Sequence, residues 1–118
     1  MEAAAVKTVL ALVNNLMFSV SIREAATSLG GLVTLVTSNE ELVQKLEIHP
    51  SLVILDLTAV EPGWEQAVAK AKEAGVPVLA YGPHVNNEAR EKAEGAGAEW
   101  FANSKFKIDL PNLLAKYL

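Results

Sequence analysis

The sequence predicts an α/β domain built on a doubly wound sheet of five parallel strands and five helices. Two observations lead to this fold class. Apolar runs that do not alternate with polar residues, of which 52–57 is the clearest, are typical of strands covered on both faces. Segments with helical periodicity separate these runs, and parallel neighbouring strands need such crossover helices.

The predicted elements follow one another in regular order. The strand candidates are 8–13, 32–36, 52–57, 76–81 and 99–102. The helix candidates are 17–29, 39–48, 62–74, 86–96 and a last helix near the end of the chain. Pro62 suits a first helical turn, and Asp109 with Pro111 is expected to open the last helix. Residues 103–106 are predicted to be a loop.

Size and composition limit the possible functions. The 118 residues, 51% of them hydrophobic, are predicted to form a single domain, 1–118, with no output domain. The absence of cysteine excludes thiolate chemistry and disulfides. The net charge of −4, without a basic block, argues against nucleic-acid binding. No apolar window is long enough for a membrane span, so we expect a cytoplasmic protein.

Polar side chains follow two of the predicted strands. Asp56 ends the most apolar run, and Asn14 with Asn15 ends the first strand. With the strand order 2-1-3-4-5, the first and third strands are neighbours at the switch point of the sheet. We therefore expect these three residues to share one crevice at the carboxyl edge, where open α/β sheets bind ligands.

Four segments together resemble the CheY-like receiver domain of two-component response regulators. They are Val-Leu-Ala-Leu-Val-Asn-Asn (9–15), Leu-Val-Ile-Leu-Asp-Leu (52–57), Gly-Val-Pro-Val-Leu (75–79) and Glu-Gly-Ala-Gly-Ala-Glu-Trp (94–100). Their order and spacing carry the resemblance over nearly the whole chain. It implies a flavodoxin-like fold with the order 2-1-3-4-5 and a role in signal transduction.

The resemblance also implies a set of site positions, of which this chain keeps few. Asp56 matches the phosphoacceptor, whereas the acidic pair that would help it to hold Mg²⁺ is replaced by Asn14 and Asn15. The position of the phosphate-binding hydroxyl falls on Gly82. The lysine position falls on Ser104, and Lys105 follows one residue later, where it could still reach the crevice.

These replacements predict weakened chemistry. One carboxylate with amide neighbours binds Mg²⁺ poorly, so we expect no cofactor, and at most weak Mg²⁺ binding at Asp56 and Asn15. Phe101 occupies the position of the switch aromatic, but Gly82 offers no hydroxyl to pull it. The sequence thus predicts that Asp56 caps its own loop or bonds to Asn14 and Asn15.

Two further residues are candidates for binding. His84 follows Gly82-Pro83 and would either contact a ligand over the crevice or begin the next helix. Trp100 lies beside Phe101 and would either face a partner, on the surface formed by the fourth helix, fifth strand and fifth helix, or pack against the fifth helix. No nucleophile with its base and no carboxylate pair is placed for catalysis, so we expect no enzymatic activity.

The function predicted from the sequence is that of a stand-alone degenerate receiver. It would bind another protein, either a histidine kinase or a downstream signalling protein, or form a homodimer. One alternative is a functional phosphoacceptor in a phosphorelay, using Asp56 and Mg²⁺. Another is a small-ligand sensor that uses the crevice among Asn14, Asn15, Asp56 and His84.

Overall fold

A computed structural model describes residues 6–83, 85 and 87–118. Its strands are β1 (Thr8–Leu12), β2 (Leu32–Leu35), β3 (Leu52–Asp56), β4 (Val78–Gly82) and β5 (Glu99–Ala102). All neighbouring strands pair in parallel, in the order β2-β1-β3-β4-β5. The predicted doubly wound sheet and its strand order are confirmed.

Five α-helices connect the strands. They are α1 (Leu16–Ser28), α2 (Asn39–Lys45), α3 (Trp64–Glu73), α4 (Asn87–Ala96) and α5 (Asn103–Tyr117), and a short 3-10 helix, Leu46–Ile48, follows α2. Polar side chains fix two of the starts: the Asn15 side chain accepts from the Phe18 N–H, and the Ser38 side chain accepts from the Glu41 N–H.

The sheet separates two apolar layers. One layer lies under α2, α3 and α4 and includes Leu42, Trp64 and Ala93. The other lies under α1 and α5 and includes Ile22 and Phe106. All five residues of β3 are buried, which explains why its sequence is apolar on both faces and why its terminal carboxylate lies at the centre of the edge.

The start of α5 differs from the prediction. The helix begins at Asn103, directly after β5, so residues 103–106 are helical and not a loop. This start places Phe106 on the same helical face as Leu110, and both are buried. Pro111 lies inside the helix instead of opening it, and because it is exposed, water can bond to the carbonyl group that its missing N–H leaves free.

The start of α3 was also predicted wrongly. The helix begins at Trp64 after Gly63, whose φ of 93° is in the left-handed region, so Pro62 precedes the helix. The predicted inner face of α3 is nevertheless buried. Among the described residues, no helix is long and apolar enough to cross a membrane.

One residue between α2 and β3 has a left-handed backbone conformation, and its contribution to stability can be tested. His49 has φ 55° and ψ 59° and is exposed. A side chain in this backbone conformation costs the folded state about 1–2 kcal/mol, which glycine avoids. Glycine in turn loses roughly 0.5–1 kcal/mol on folding, because its unfolded chain has more conformational freedom. We expect His49→Gly to raise the free energy of unfolding by up to about 1 kcal/mol in urea titrations. His49→Ala is the control and is expected to give no gain; equal stability of both variants would contradict the argument.

Candidate functional site

The Asp56 carboxylate is the centre of the predicted crevice. It ends β3 and is only 2% exposed. Its Oδ2 accepts from the backbone N–H of Asn14 at 3.2 Å, and its Oδ1 accepts from the N–H and the hydroxyl of Thr58 at 2.8 and 2.6 Å. Both oxygens therefore have donors, and the carboxylate joins the loop after β1 to the loop after β3.

The two asparagines lie at the same edge but contribute differently. Asn14 meets Asp56 through its backbone, while its side chain is exposed. The Asn15 side-chain oxygen accepts from the N–H of Phe18 at 3.1 Å and thereby caps α1. Asn14 and Asp56 are therefore neighbours, whereas Asn15 uses its amide oxygen to cap α1.

Gly82 ends β4 next to the site. A Cβ atom added to Gly82 would lie 3.3 Å from the Cβ of Leu57, closer than an ordinary contact. Leu57 is itself buried in the layer under α3 and α4. Its side chain thus occupies the space beside Gly82 where a side chain at that position would begin.

The first turn of α5 carries Ser104, which falls on the lysine position, and Lys105, which follows it. Ser104 and Lys105 are exposed there. The Lys105 Nζ lies 3.0 Å from Asp109 Oδ2, one helical turn along. In this structure Lys105 therefore pairs along the surface of α5 and not with the Asp56 carboxylate.

Three aromatic rings stack beside the carboxylate. The Tyr81 ring contacts those of Phe18 and Phe106, with centroids 4.6 and 4.5 Å away, and the Phe18 and Phe106 centroids are 6.3 Å apart, so the three rings form a triangle. Phe101 packs against Phe106 at 6.0 Å in a tilted arrangement. The stack joins α1, β4 and α5 at the same edge of the sheet as Asp56, which is the neighbour of Tyr81 in the strand register.

The Tyr81 hydroxyl is buried and has no hydrogen-bond partner among the described residues. Burial raises the pKa of Tyr81 above its ordinary value of 10.0, and the nearby Asp56 carboxylate raises it further. The phenol is therefore neutral at physiological pH.

The open space near the site is small. A cavity of about 150 Å³ lies between the start of α1 and α5. Its lining residues are Asn15, Met17, Phe18, Ser21 and Lys107. Ordinary ligand pockets measure about 300–1,000 Å³, so this cavity does not accommodate a typical metabolite. His84, the other predicted ligand contact, lies outside the described residues.

The residues present do not fit Mg²⁺. Within the described part of the chain, no group of three or more His, Asp or Glu side chains could hold a metal ion. Both Asp56 oxygens already accept hydrogen bonds, and the Asn15 oxygen caps α1. Mg²⁺ prefers carboxylate and water oxygens in octahedral geometry, which this arrangement does not provide.

The two aromatics of β5 point to opposite sides of the sheet. Phe101 packs with the layer under α1 and α5. Trp100 packs with the layer under α3 and α4 and not against α5. The Arg90 guanidinium of α4 lies 4.8 Å from the centre of its ring, and the indole Nε1 is buried without a partner among the described residues. Trp100 is half-buried at the surface between α4 and β5.

Sequence reasoning missed Thr58 and the aromatic stack. The spacing Asp-x-Thr is a signal for the turn that Thr58 makes, because short polar side chains bond to the backbone two residues away. Tyr81 and Phe106 carried no comparable signal, since their contact depends on where α5 begins.

Replacing Tyr81 by Phe tests the buried phenol. Because the pKa of Tyr81 is raised by folding, the neutral phenol stabilises the fold fully below about pH 10, and this contribution is lost as the pH rises. We expect the melting temperature of the wild type to fall more steeply above about pH 10 than that of Tyr81→Phe. At neutral pH, the two proteins should differ by less than about 1 kcal/mol, since the hydroxyl has no partner to lose.

Tyr117→Phe is the matched control for this measurement. Tyr117 is half-buried at the end of α5, and burial followed by the charge of Glu99 raises its pKa as well. We expect a smaller change in the alkaline melting curve than for Tyr81→Phe. Parallel curves for the wild type and Tyr81→Phe would contradict the assignment.

Solved structures of receiver domains share this architecture. The receiver domain of the sensor histidine kinase PA1611 from Pseudomonas aeruginosa, with a magnesium ion in its active-site cleft, is 21% identical, with a TM-score of 0.75 over 96% of this chain and 98% of that chain. A CheY-like receiver domain protein from Methanospirillum hungatei is 16% identical, with a TM-score of 0.77 over 95% and 93%. Chemotaxis protein CheY4 from Vibrio cholerae is 17% identical, with a TM-score of 0.73 over 97% and 100%.

No family model and no curated protein sequence matches the chain. At these levels of identity, the structural likeness establishes the fold. The sheet order, the helices and the coverage agree over nearly the full length of the compared chains. This chain therefore has the fold of the CheY-like response-regulator receiver domains.

Proposed function

We propose that the chain is a degenerate receiver, a signalling module that binds another protein and is not switched by ordinary phosphorylation of Asp56. The receiver fold supports a signalling role. The state of the Asp56 carboxylate supports the loss of phosphorylation. The module needs no cofactor, has no enzymatic activity of its own and acts in the cytoplasm.

One observation carries this proposal: the carboxylate is buried and hydrogen-bonded through both oxygens within the protein. A phosphoacceptor attacks through a lone pair, and a cation must neutralise the incoming phosphoryl group. Asp56 is buried, and Asn14 and Thr58 donate to its two oxygens. Lys105 pairs with Asp109. Phosphorylation would have to rearrange these hydrogen bonds, and among the described residues neither a group of metal ligands nor the paired Lys105 compensates.

The surface between α4 and β5 supports binding to a protein. Arg90 covers the half-buried Trp100 there and also pairs with Glu94. Tryptophan and arginine are enriched at the energetic centres of protein interfaces. We place the contact with a histidine kinase or a downstream signalling protein on this surface, which continues onto α5.

Incubation with Mg²⁺ and acetyl phosphate, followed by intact-mass measurement, tests the proposal directly. We expect an unchanged mass, because hydrogen bonds hold both oxygens of the buried Asp56 and no group of metal ligands is present among the described residues. A phosphorylatable receiver treated in parallel must gain a phosphoryl group. A gain of one phosphoryl group that disappears in Asp56→Ala would overturn the proposal and make the chain a working phosphoacceptor.

The stability of two aspartate variants provides an independent test. Asp56→Ala leaves the N–H of Asn14 and the Thr58 donors unpaired, so we expect a loss of about 1–3 kcal/mol in the free energy of unfolding. Asp109→Ala is the matched control, since it removes only an exposed pair along α5, worth less than about 0.5 kcal/mol. Both values come from urea titrations at pH 7.

If Asp56→Ala were as stable as the wild type, the hydrogen bonds of the carboxylate would add nothing to the stability of the fold. That result is expected of a group kept for chemistry and would contradict the proposal.

A further inference from the structure

The outer edge of β2 is an open hydrogen-bonding surface. The N–H of Leu32 donates to the carbonyl of Lys7 at 3.0 Å, and the N–H of Val36 donates to that of Ala11 at 2.9 Å. Because backbone groups alternate along a strand, the N–H and C=O groups of Val33 and Leu35 point away from β1. In the part of the chain that the structure describes, β2 has a strand on one side only.

β2 is a short edge strand of four residues, but it carries neither of the side-chain features, charge and proline, that usually prevent edge strands from pairing. Residues 32–36, Leu-Val-Thr-Leu-Val, include no charge and no proline. Leu32 is 58% exposed and Leu35 is 41% exposed. The opposite edge of the sheet, β5, carries the exposed Glu99, and Arg90 covers its Trp100.

We propose that β2 pairs with β2 of a second copy of the chain, antiparallel and across a two-fold axis, so that two sheets join into one. The two copies then use the same surface, as expected for a closed dimer. A second copy fits this edge because an uncharged strand meets no repulsion from its own sequence. The inference does not depend on the state of Asp56.

The alternation of side chains selects the register. In an antiparallel pair, the side chains of two opposed residues point to the same face of the sheet. Odd-numbered residues of β2 must therefore lie opposite odd-numbered residues of the second copy, and even-numbered residues opposite even-numbered ones. Val33 then lies opposite Leu35 of the second copy, and each such pair exchanges both of its N–H···O=C bonds, using the outward groups of both strands. Thr34 lies opposite its own counterpart, and Leu32 lies opposite Val36.

The charges of α2 are compatible with this arrangement. One side of α2 faces α3, where Asn39, Glu40, Val43 and Gln44 line a shared groove. Helical periodicity places Glu41 and Lys45 on the other side, toward the open edge. Across a two-fold axis the two α2 helices run antiparallel, so Lys45 of one copy lies toward the start of α2 in the other, where the Glu41 carboxylate accepts from the Thr37 N–H.

Disulfide trapping tests the register, since the chain contains no cysteine. Opposed residues of a non-hydrogen-bonded antiparallel pair have Cα atoms about 4.5 Å apart, within the range that a disulfide spans. We expect Thr34→Cys to form a covalent dimer under mild oxidation. Ile108→Cys is the control, because Ile108 is 77% exposed on α5, away from the edge. Equal cross-linking of both variants, or faster cross-linking of Val33→Cys, would overturn the proposal.

Sedimentation across a concentration series tests the dimer without a cross-link. We expect the wild type to associate reversibly. Leu32→Lys and Leu35→Lys should each raise the dissociation constant at least about tenfold, because each removes an apolar cross-strand contact and puts two charges into the interface, one from each copy. Ile108→Lys should leave it unchanged, and circular dichroism would verify that the variants are folded. A monomer at every concentration, or a dimer insensitive to both edge lysines, would refute the pairing.

Discussion

The buried carboxylate of Asp56 imposes the main constraint on the site. A charge in the protein interior must be compensated by hydrogen bonds or by an opposite charge. Here the compensation comes from backbone and hydroxyl donors of two loops, at Asn14 and Thr58. The resemblance to receivers implies a metal and a lysine for that task. The donors that make burial tolerable therefore also hold both carboxylate oxygens in place, and phosphoryl transfer would have to rearrange them.

Packing around the carboxylate reinforces this arrangement. The resemblance to receivers implies that a hydroxyl after the fourth strand moves toward the phosphate and that an aromatic side chain follows it. Here Leu57 fills the space beside Gly82, and Tyr81 packs against the rings of both Phe18 and Phe106. Well-packed interiors do not deform continuously, so a ring with two close aromatic neighbours resists small displacements. The stack packs α5 against the edge of the sheet, and this packing does not require a change at Asp56.

The sequence predicted the sheet more fully than the site. Unbroken apolar runs and helical periodicity are local patterns, and they were sufficient for the alternation of strands and helices. The strand order, which brings Asn14 next to Asp56, came from the flavodoxin-like topology. The start of α5 was missed because residues 103–105 are polar, and the helix there is fixed by the burial of Phe106 against Tyr81. The stack and the pairing of Lys105 with Asp109 both depend on that start. A local pattern could not supply them, since they arise from tertiary packing.

The two edges of the sheet differ in how they are connected to the crevice. At the β5 edge, Phe101 of β5 packs against Phe106 of the aromatic stack. The edge at β2 is bounded by α1 and α2, and the Asp56 donors Asn14 and Thr58 lie in the loops after β1 and β3, not in β2. Pairing at β2 would therefore be governed by the concentration of the chain and not by the chemistry of Asp56. In a chain of this fold whose buried carboxylate already has its donors, mass action at such an edge is a physically available way to change state.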